Sequence, residues 1–191
     1  MTADDALRRL TDGNRRYVAG CMTHPDQSPG RRVALVGGQR PFAAVLGCAD
    51  SRVPPEVIFD QGLGNLFVVR VAGNVADDLV TGSLEYAAEH LHVPLVVVLG
   101  HSSCSAVAAA ASGHAVCGAL RCVVDAIAPA LRRAQTGKAV EPDKVARANA
   151  CTVAERLRAC GSVLSRLVLS GGLRIVPAFY DLSSGEAAFL D

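Results

Sequence analysis

Tryptophan is absent from the 191 residues and aromatic side chains make up only 4% of them, although half of the chain is apolar. A hydrophobic core therefore has to be built from Val, Leu and Ala, and a chain of this length is long enough to bury one. We expect a single domain over residues 1–191, with an N-terminal helical arm and loop at 1–32 and an α/β core at 33–191.

Net charge is also nearly absent, since the formal value is +1 at pH 7. This balance gives no electrostatic reason to expect nucleic acid or an anionic membrane as a partner. No apolar run approaches the roughly 18 residues of a membrane span, and no charged-then-apolar leader stands at the start. We expect a cytoplasmic protein that binds neither membrane nor nucleic acid.

The seven cysteines are an odd number in a long and largely apolar chain. A disulfide framework fits this pattern poorly, because such frameworks belong to short secreted chains with paired cysteines. Most of the cysteines are therefore expected to be reduced and to fill space in the core.

Short apolar runs alternate with segments of helical periodicity along the whole chain. Strands are predicted at Phe42–Leu46, Leu66–Ala72, Leu95–Leu99, Leu173–Tyr180 and Glu186–Leu190. Helices are predicted over Thr2–Val18, Asp77–His92, Ala115–Ala134, Pro142–Cys160 and Val163–Leu169. A further helix is predicted to begin at a cap, Ser102 or Ser103, and to run through Ala111. A loop is predicted over Gly20–Arg32 and a turn over Gln135–Lys138. This alternation predicts an α/β fold with a mostly parallel central sheet of four to five strands, an antiparallel edge strand and helices on both faces.

Chemically reactive side chains follow two of these predicted strands. Cys48, Asp50 and Arg52 come after the first apolar run, while His101 and Cys104 come after the third. Parallel α/β sheets form their sites beyond the carboxyl ends of the strands, where the strand order reverses. We therefore expect Cys48 and His101 at the same edge of the sheet.

Cys48, His101 and Cys104 are residue types that bind zinc in tetrahedral geometry, and a three-ligand site leaves one position for water. Alternatively, the two cysteines are buried thiols and His101 caps a strand end. Asp50 can bind the metal itself or accept a hydrogen bond from metal-bound hydroxide, with Arg52 holding the carboxylate in the second role. The simpler interpretation of these two residues is an ion pair in a turn, without function.

These motifs resemble those of the bacterial-type β-class carbonic anhydrases. The resemblance runs from Leu10–Tyr17 to Tyr180–Leu182 and is most specific at Cys48-Ala49-Asp50-Ser51-Arg52 and Gly100-His101-Ser102-Ser103-Cys104. It implies that the two cysteines and the histidine bind one Zn²⁺ per chain and that the aspartate and arginine form the catalytic dyad. It further implies a substrate pocket made of Gln39, Phe67, Gly73, Tyr86 and Ser105.

Two positions depart from the family pattern. Ser105 stands where the family usually has a glycine whose backbone amide faces the substrate, so a side chain is added there. Val45 stands where the bicarbonate-inhibited branch commonly has tryptophan, and we therefore do not expect that regulatory anion site. A second His-x-x-Cys, at His114 and Cys117, has no strand before it and no acidic partner, so we do not expect it to bind metal.

The resemblance implies a zinc-enzyme that hydrates CO₂ reversibly to bicarbonate and a proton by zinc-bound hydroxide. It also implies a homodimer or a dimer of dimers, with pockets at the subunit interface and the N-terminal arm fastening the subunits. One alternative is a hydrolase of carbonyl sulfide or carbon disulfide on the same scaffold. Another is a non-catalytic zinc or thiol-sensing protein in which Asp50 is a permanent fourth ligand.

Overall fold

The computed structural model describes residues 1–135, 141–159 and 162–190. The predicted turn after Gln135 and the predicted helix end at Cys160 lie outside these residues. The helices are α1 (Ala3–Val18), α2 (Pro29–Ala34), α3 (Pro55–Ile58), α4 (Asp78–Glu89), α5 (Ser105–Ala111), α6 (Leu120–Ala134), α7 (Pro142–Ala159) and α8 (Ser162–Leu169). The strands are β1 (Ala43–Gly47), β2 (Leu66–Arg70), β3 (Leu95–His101), β4 (Arg174–Tyr180) and β5 (Ala187–Phe189).

The strands form one sheet in the order β2-β1-β3-β4-β5. The pairings of β1 with β2, β1 with β3, and β3 with β4 are parallel, whereas β5 is an antiparallel edge strand. The predicted fold class is confirmed. The chain runs from β1 to β2 on one side and then crosses to β3 on the other, so the strand order reverses between β1 and β3.

The strand register brings the two reactive segments together at this reversal point. Gly47 pairs with Leu99 on β3, so Cys48 and Gly100 lie next to each other just beyond the pair. His101 follows at the end of β3, opposite Tyr180 on β4. The expected convergence of Cys48 and His101 on one edge therefore follows from the pairing of β1 with β3.

Alternate residues of the strands point to opposite faces of the sheet and pack into two separate hydrophobic layers. Ala44 and Leu46 pack with residues of α4, α7 and α8, while Ala43 and Val45 pack with residues of α1 and α3. Helices thus cover both faces, as predicted. A membrane-crossing helix, which would have to be both longer and more apolar, does not occur within the described parts of the chain.

The N-terminal helix begins as the sequence predicts, because Thr2 caps α1 in a reciprocal capping box with Asp5. The helix then packs on the sheet of its own chain, where Ala6 and Leu10 are fully buried. Gly13 allows this close approach, since a Cβ at this position would lie 1.8 Å from the Phe59 carbonyl oxygen. In the single chain, α1 is therefore part of one helical layer.

Three helix starts differ from the sequence-based expectation, and one of them is α6, which begins at Leu120 and not at Ala115. The loop predicted from Gly20 to Arg32 contains the start of α2, which Ser28 caps and Pro29 opens. Helix α5 begins at Ser105 with Cys104 as its N-cap residue, and not with a serine cap. The reason is that Ser102 is engaged elsewhere: its N–H donates to the Tyr180 carbonyl at 2.9 Å and its hydroxyl accepts the Leu182 N–H at 2.8 Å.

Candidate metal centre

Three buried side chains converge at the reversal point of the sheet. The sulfur atoms of Cys48 and Cys104 and a ring nitrogen of His101 all lie within 4.8 Å of one another. Cys48, Cys104 and His101 are 4%, 2% and 0% exposed, respectively. The expectation that most of the cysteines fill the core is wrong, because Cys48 and Cys104 are the only buried cysteines among the six that the structure describes. No other group of three His, Cys, Asp or Glu side chains in the described ranges comes this close, so His114 and Cys117 do not belong to such a group.

A backbone contact holds one ring nitrogen of His101 and leaves the other free. His101 Nδ1 lies 2.9 Å from the Ser102 carbonyl oxygen, which can only accept, so Nδ1 carries the proton. Nε2 is then the free acceptor, and it is buried with no hydrogen-bond partner among the described residues. A buried nitrogen lone pair without a partner is costly unless something binds it, and a metal ion does so.

The two thiols change each other's acidity in opposite directions. A hydrogen bond from Cys104 lowers the pKa of the Cys48 thiol to about 4, and the same bond together with burial raises the pKa of Cys104. A metal ion held by both sulfurs would require both thiols to be deprotonated, and the lowered pKa of Cys48 favours that form of its sulfur.

The donor set and its spacing fit zinc. Tetrahedral zinc, with sulfur at about 2.3 Å and nitrogen at about 2.0 Å, requires ligand atoms roughly 3.5 to 4 Å apart. The observed separations of at most 4.8 Å come close to this range. Two sulfurs and one imidazole nitrogen leave the fourth tetrahedral position for another ligand.

The Asp50 carboxylate, two residues after Cys48, is held by hydrogen bonds from Arg52. Arg52 donates from Nε to Asp50 Oδ1 at 2.9 Å and from its terminal nitrogen to Oδ2 at 2.7 Å, while its own N–H donates to Oδ1 at 2.9 Å. The hydrogen bonds from the Arg52 side chain hold the pKa of the Asp50 carboxyl well below its usual value of 3.8. Asp50 is therefore ionised and paired with Arg52, and it is not one of the three converging residues.

Comparison with known proteins identifies the family. The carbonic anhydrase family model matches residues 43–187. Carbonic anhydrase 2 of Mycobacterium tuberculosis is 44% identical over 190 residues, covering 97% of this chain and 92% of the relative. A tetrameric β-carbonic anhydrase of Sordaria macrospora superimposes with a TM-score of 0.75 at 26% identity, covering 97% of both chains. The chain belongs to the β-carbonic anhydrases.

Other relatives of this β-carbonic anhydrase agree. The carbonic anhydrase of Mycolicibacterium smegmatis is 41% identical and covers 95% of this chain and 90% of its own length. A Coccomyxa β-carbonic anhydrase, solved in complex with acetazolamide, gives a TM-score of 0.76 at 25% identity and covers 96% of this chain and 86% of that one. The protein is therefore an enzyme of the carbonic anhydrase type.

Two of the predicted substrate residues of this carbonic anhydrase lie beside the triad formed by Cys48, His101 and Cys104. Gly73 adopts a left-handed conformation at φ +67°, and its N–H donates to Cys48 Sγ at 3.3 Å. Ser105 is the first residue of α5, directly after Cys104, and its side chain is exposed.

The other three predicted substrate residues lie away from the triad in the same chain. Phe67 pairs with Ala44, four residues before Cys48, which corresponds to about 13 Å along the strand. The Tyr86 ring stands 6.4 Å from the Phe67 ring, and Gln39 precedes the opposite end of β1. One protomer thus does not bring Gln39, Phe67 and Tyr86 to the triad.

Sequence reasoning missed several residues that support the site. Arg70, at the end of β2, donates to the backbone carbonyls of Cys48 and Asp50, and Asp143 accepts the Ser103 N–H at 2.9 Å. Asn149 donates from Nδ2 to the Gly73 carbonyl at 2.8 Å across 76 residues of sequence. The available signal was a single amide on the otherwise apolar buried face of α7, which also carries Val145, Ala146, Ala150 and Val153.

Proposed function

We propose that this β-carbonic anhydrase hydrates CO₂ reversibly to bicarbonate and a proton at one Zn²⁺ per chain, bound by Cys48, His101 and Cys104. The observation that carries the proposal is the buried group of two sulfurs and one unpaired imidazole nitrogen next to a carboxylate that an arginine holds away from it. We propose residues 1–191 as one zinc-enzyme domain, and a cytoplasmic location stays a prediction from the sequence.

When bound, zinc lowers the pKa of a coordinated water so that hydroxide is available near neutral pH. Asp50 accepts a hydrogen bond from the attacking oxygen and so orients its lone pair toward the substrate carbon. Arg52 fixes the Asp50 carboxylate through two parallel hydrogen bonds and keeps it from occupying the open position. The backbone N–H of Ser105, next to Cys104, is a donor for a substrate oxygen.

The test of this activity is stopped-flow CO₂ hydration from about pH 7 to 9, with zinc per chain measured on the same sample. We expect activity that rises with pH, since the reacting water must lose a proton. Carbonyl sulfide and carbon disulfide hydrolysis are assayed in parallel. Bound metal without CO₂ turnover would contradict the proposal in favour of a sensor, and faster turnover of the sulfur compounds would favour the hydrolase alternative.

The substrate pocket is proposed to be completed by a second copy of the chain. Gln39, Phe67 and Tyr86 are predicted pocket residues, but they lie away from the triad of their own chain. Tyr86 is 49% exposed and Leu79, on the same helix, is 83% exposed, which leaves apolar surface for a partner. The Sordaria macrospora relative is described as tetrameric. We therefore propose a homodimer or a dimer of dimers with shared pockets.

Mixed dimers test the shared pocket. Cys48→Ser removes a predicted ligand and Gln39→Ala removes a predicted pocket residue, so each variant alone should be nearly inactive. When the two chains are co-expressed, half of the dimers are mixed and one of their two pockets is intact, giving about a quarter of wild-type activity. Mixed preparations no more active than their parents would contradict a pocket shared in this way.

A further inference from the structure

Helix α7 contacts the backbone beside two of the three converging residues. A Cβ at Gly100, which precedes His101, would lie 3.0 Å from the Ala146 carbonyl oxygen and 3.4 Å from the Ala150 Cβ. On the same face, Asn149 is 1% exposed and donates to the Gly73 carbonyl. The face of α7 formed by Ala146, Asn149 and Ala150 is therefore packed directly behind the candidate metal centre.

The hydrogen bond from Asn149 to Gly73 connects helix α7 to the Cys48 sulfur through the backbone of Gly73. Gly73 joins two peptide groups, one of which provides the N–H that donates to Cys48 Sγ and the other the carbonyl that accepts from Asn149. Glycine is the residue whose backbone is least restricted, so its two peptide planes turn easily unless they are held. Holding the carbonyl restricts this rotation and keeps the N–H directed at the sulfur.

The buried amide of Asn149 has one paired group and one unpaired group. Its Oδ1 is buried and finds no hydrogen-bond partner within the described residues, and a buried unpaired acceptor costs about 1 to 3 kcal/mol. Val145 and Val153 flank it on the buried side of the helix. Leucine, which has as many side-chain heavy atoms but a larger volume, would carry no unpaired acceptor there, but it would leave the Gly73 carbonyl without this donor. The hydrogen bond to Gly73 is what leucine could not supply.

We propose that Asn149 is a positioning residue of the metal centre, which acts through Gly73 to keep a backbone N–H on the Cys48 sulfur. The proposal rests on the proposed function, in which Cys48 is a metal ligand. The N–H withdraws electron density from the thiolate and fixes the position of the sulfur before metal binds. Without it the thiolate is more electron-rich and less well placed.

Cobalt-substituted protein tests this without an activity assay. In Asn149→Leu, the sulfur-to-cobalt charge-transfer band should move to longer wavelength, and the dissociation constant for Co²⁺ should rise roughly tenfold. Thr152→Val is the matched control, because it removes a hydroxyl on the same helix that has no partner in the described part of the chain. That control should change neither quantity.

The cobalt measurements distinguish failure of the positioning role of Asn149 from failure of the metal site itself. A lower Tm in Asn149→Leu with an unchanged band and dissociation constant would show a purely structural role and overturn the proposal. Wild-type protein that gives no cobalt band would instead overturn the assignment of the triad as a metal site.

A measurement on the unaltered chain covers the case in which Asn149→Leu and a second variant, Asn149→Ala, both fail to fold. In protein loaded with ¹¹³Cd, we expect scalar coupling between cadmium and the Gly73 amide proton, together with an Asn149 side-chain amide proton protected from exchange. The absence of the scalar coupling, or rapid exchange of the Asn149 amide protons, in protein that binds cadmium would overturn the proposal.

Discussion

His101→Ala should leave the protein without retained zinc and lower CO₂ hydration by at least about a thousandfold, because the ion acidifies the reacting water. His101 provides the one nitrogen in the converging group, and its Nε2 is buried with no hydrogen-bond partner among the described residues. With only two sulfurs left to hold a tetrahedral ion, we expect zinc to be lost on dialysis. Zinc per chain and stopped-flow hydration, measured on the same dialysed sample, check this expectation.

His114→Ala is the control for that experiment. His114 is exposed, and among the described residues it belongs to no group that could hold a metal. Zinc should also raise the Tm of the wild type and of this control but not of His101→Ala, because a ligand that binds only the folded state stabilises it. Full zinc content in His101→Ala would remove His101 from the proposed ligand set.

Arg52→Ala should lower CO₂ hydration by about ten- to a hundredfold while zinc is retained. The substitution removes the two side-chain hydrogen bonds that fix the Asp50 carboxylate, at 2.9 and 2.7 Å. The freed carboxylate then loses its orientation and competes with water for the open metal position. Hydration rate and zinc content separate this effect from a loss of metal.

Two other arginine variants sharpen the result. Arg52→Lys keeps the charge but loses the paired geometry, so it should recover only part of the activity. Arg166→Ala breaks an exposed ion pair with Glu89, 2.7 Å apart, and such pairs contribute at most about 1 kcal/mol, so the rate should not change. An unchanged rate in Arg52→Ala would exclude the dyad from the mechanism.

The sheet and its reactive edge were predictable because both depend on local patterns. Apolar runs such as Leu95–Leu99 are too short for buried helices, and each is followed by a glycine that the observed strand includes, Gly47 in β1 and Gly100 in β3. The parallel arrangement follows from the helices between the strands. Cys48 and His101 each stand one glycine beyond such a run, so their convergence required only that β1 and β3 be neighbours.

Contacts across long stretches of sequence were not predictable in this way. The serine cap expected for α5 was wrong because Ser102 is bound to β4 and to Leu182, about 80 residues away. Asn149 reaches Gly73 from another helix, and a lone amide on an apolar face does not reveal its partner. The resemblance named Gln39, Phe67 and Tyr86, but no periodicity shows which copy of the chain they would serve.

Zinc analysis combined with X-ray absorption at the zinc edge tests the central claim most directly. For protein purified under reducing conditions, we predict one zinc per chain with two sulfurs near 2.3 Å, one imidazole nitrogen near 2.0 Å and one further light atom. A metal-free protein, or an ion surrounded by nitrogen and oxygen alone, would contradict the account.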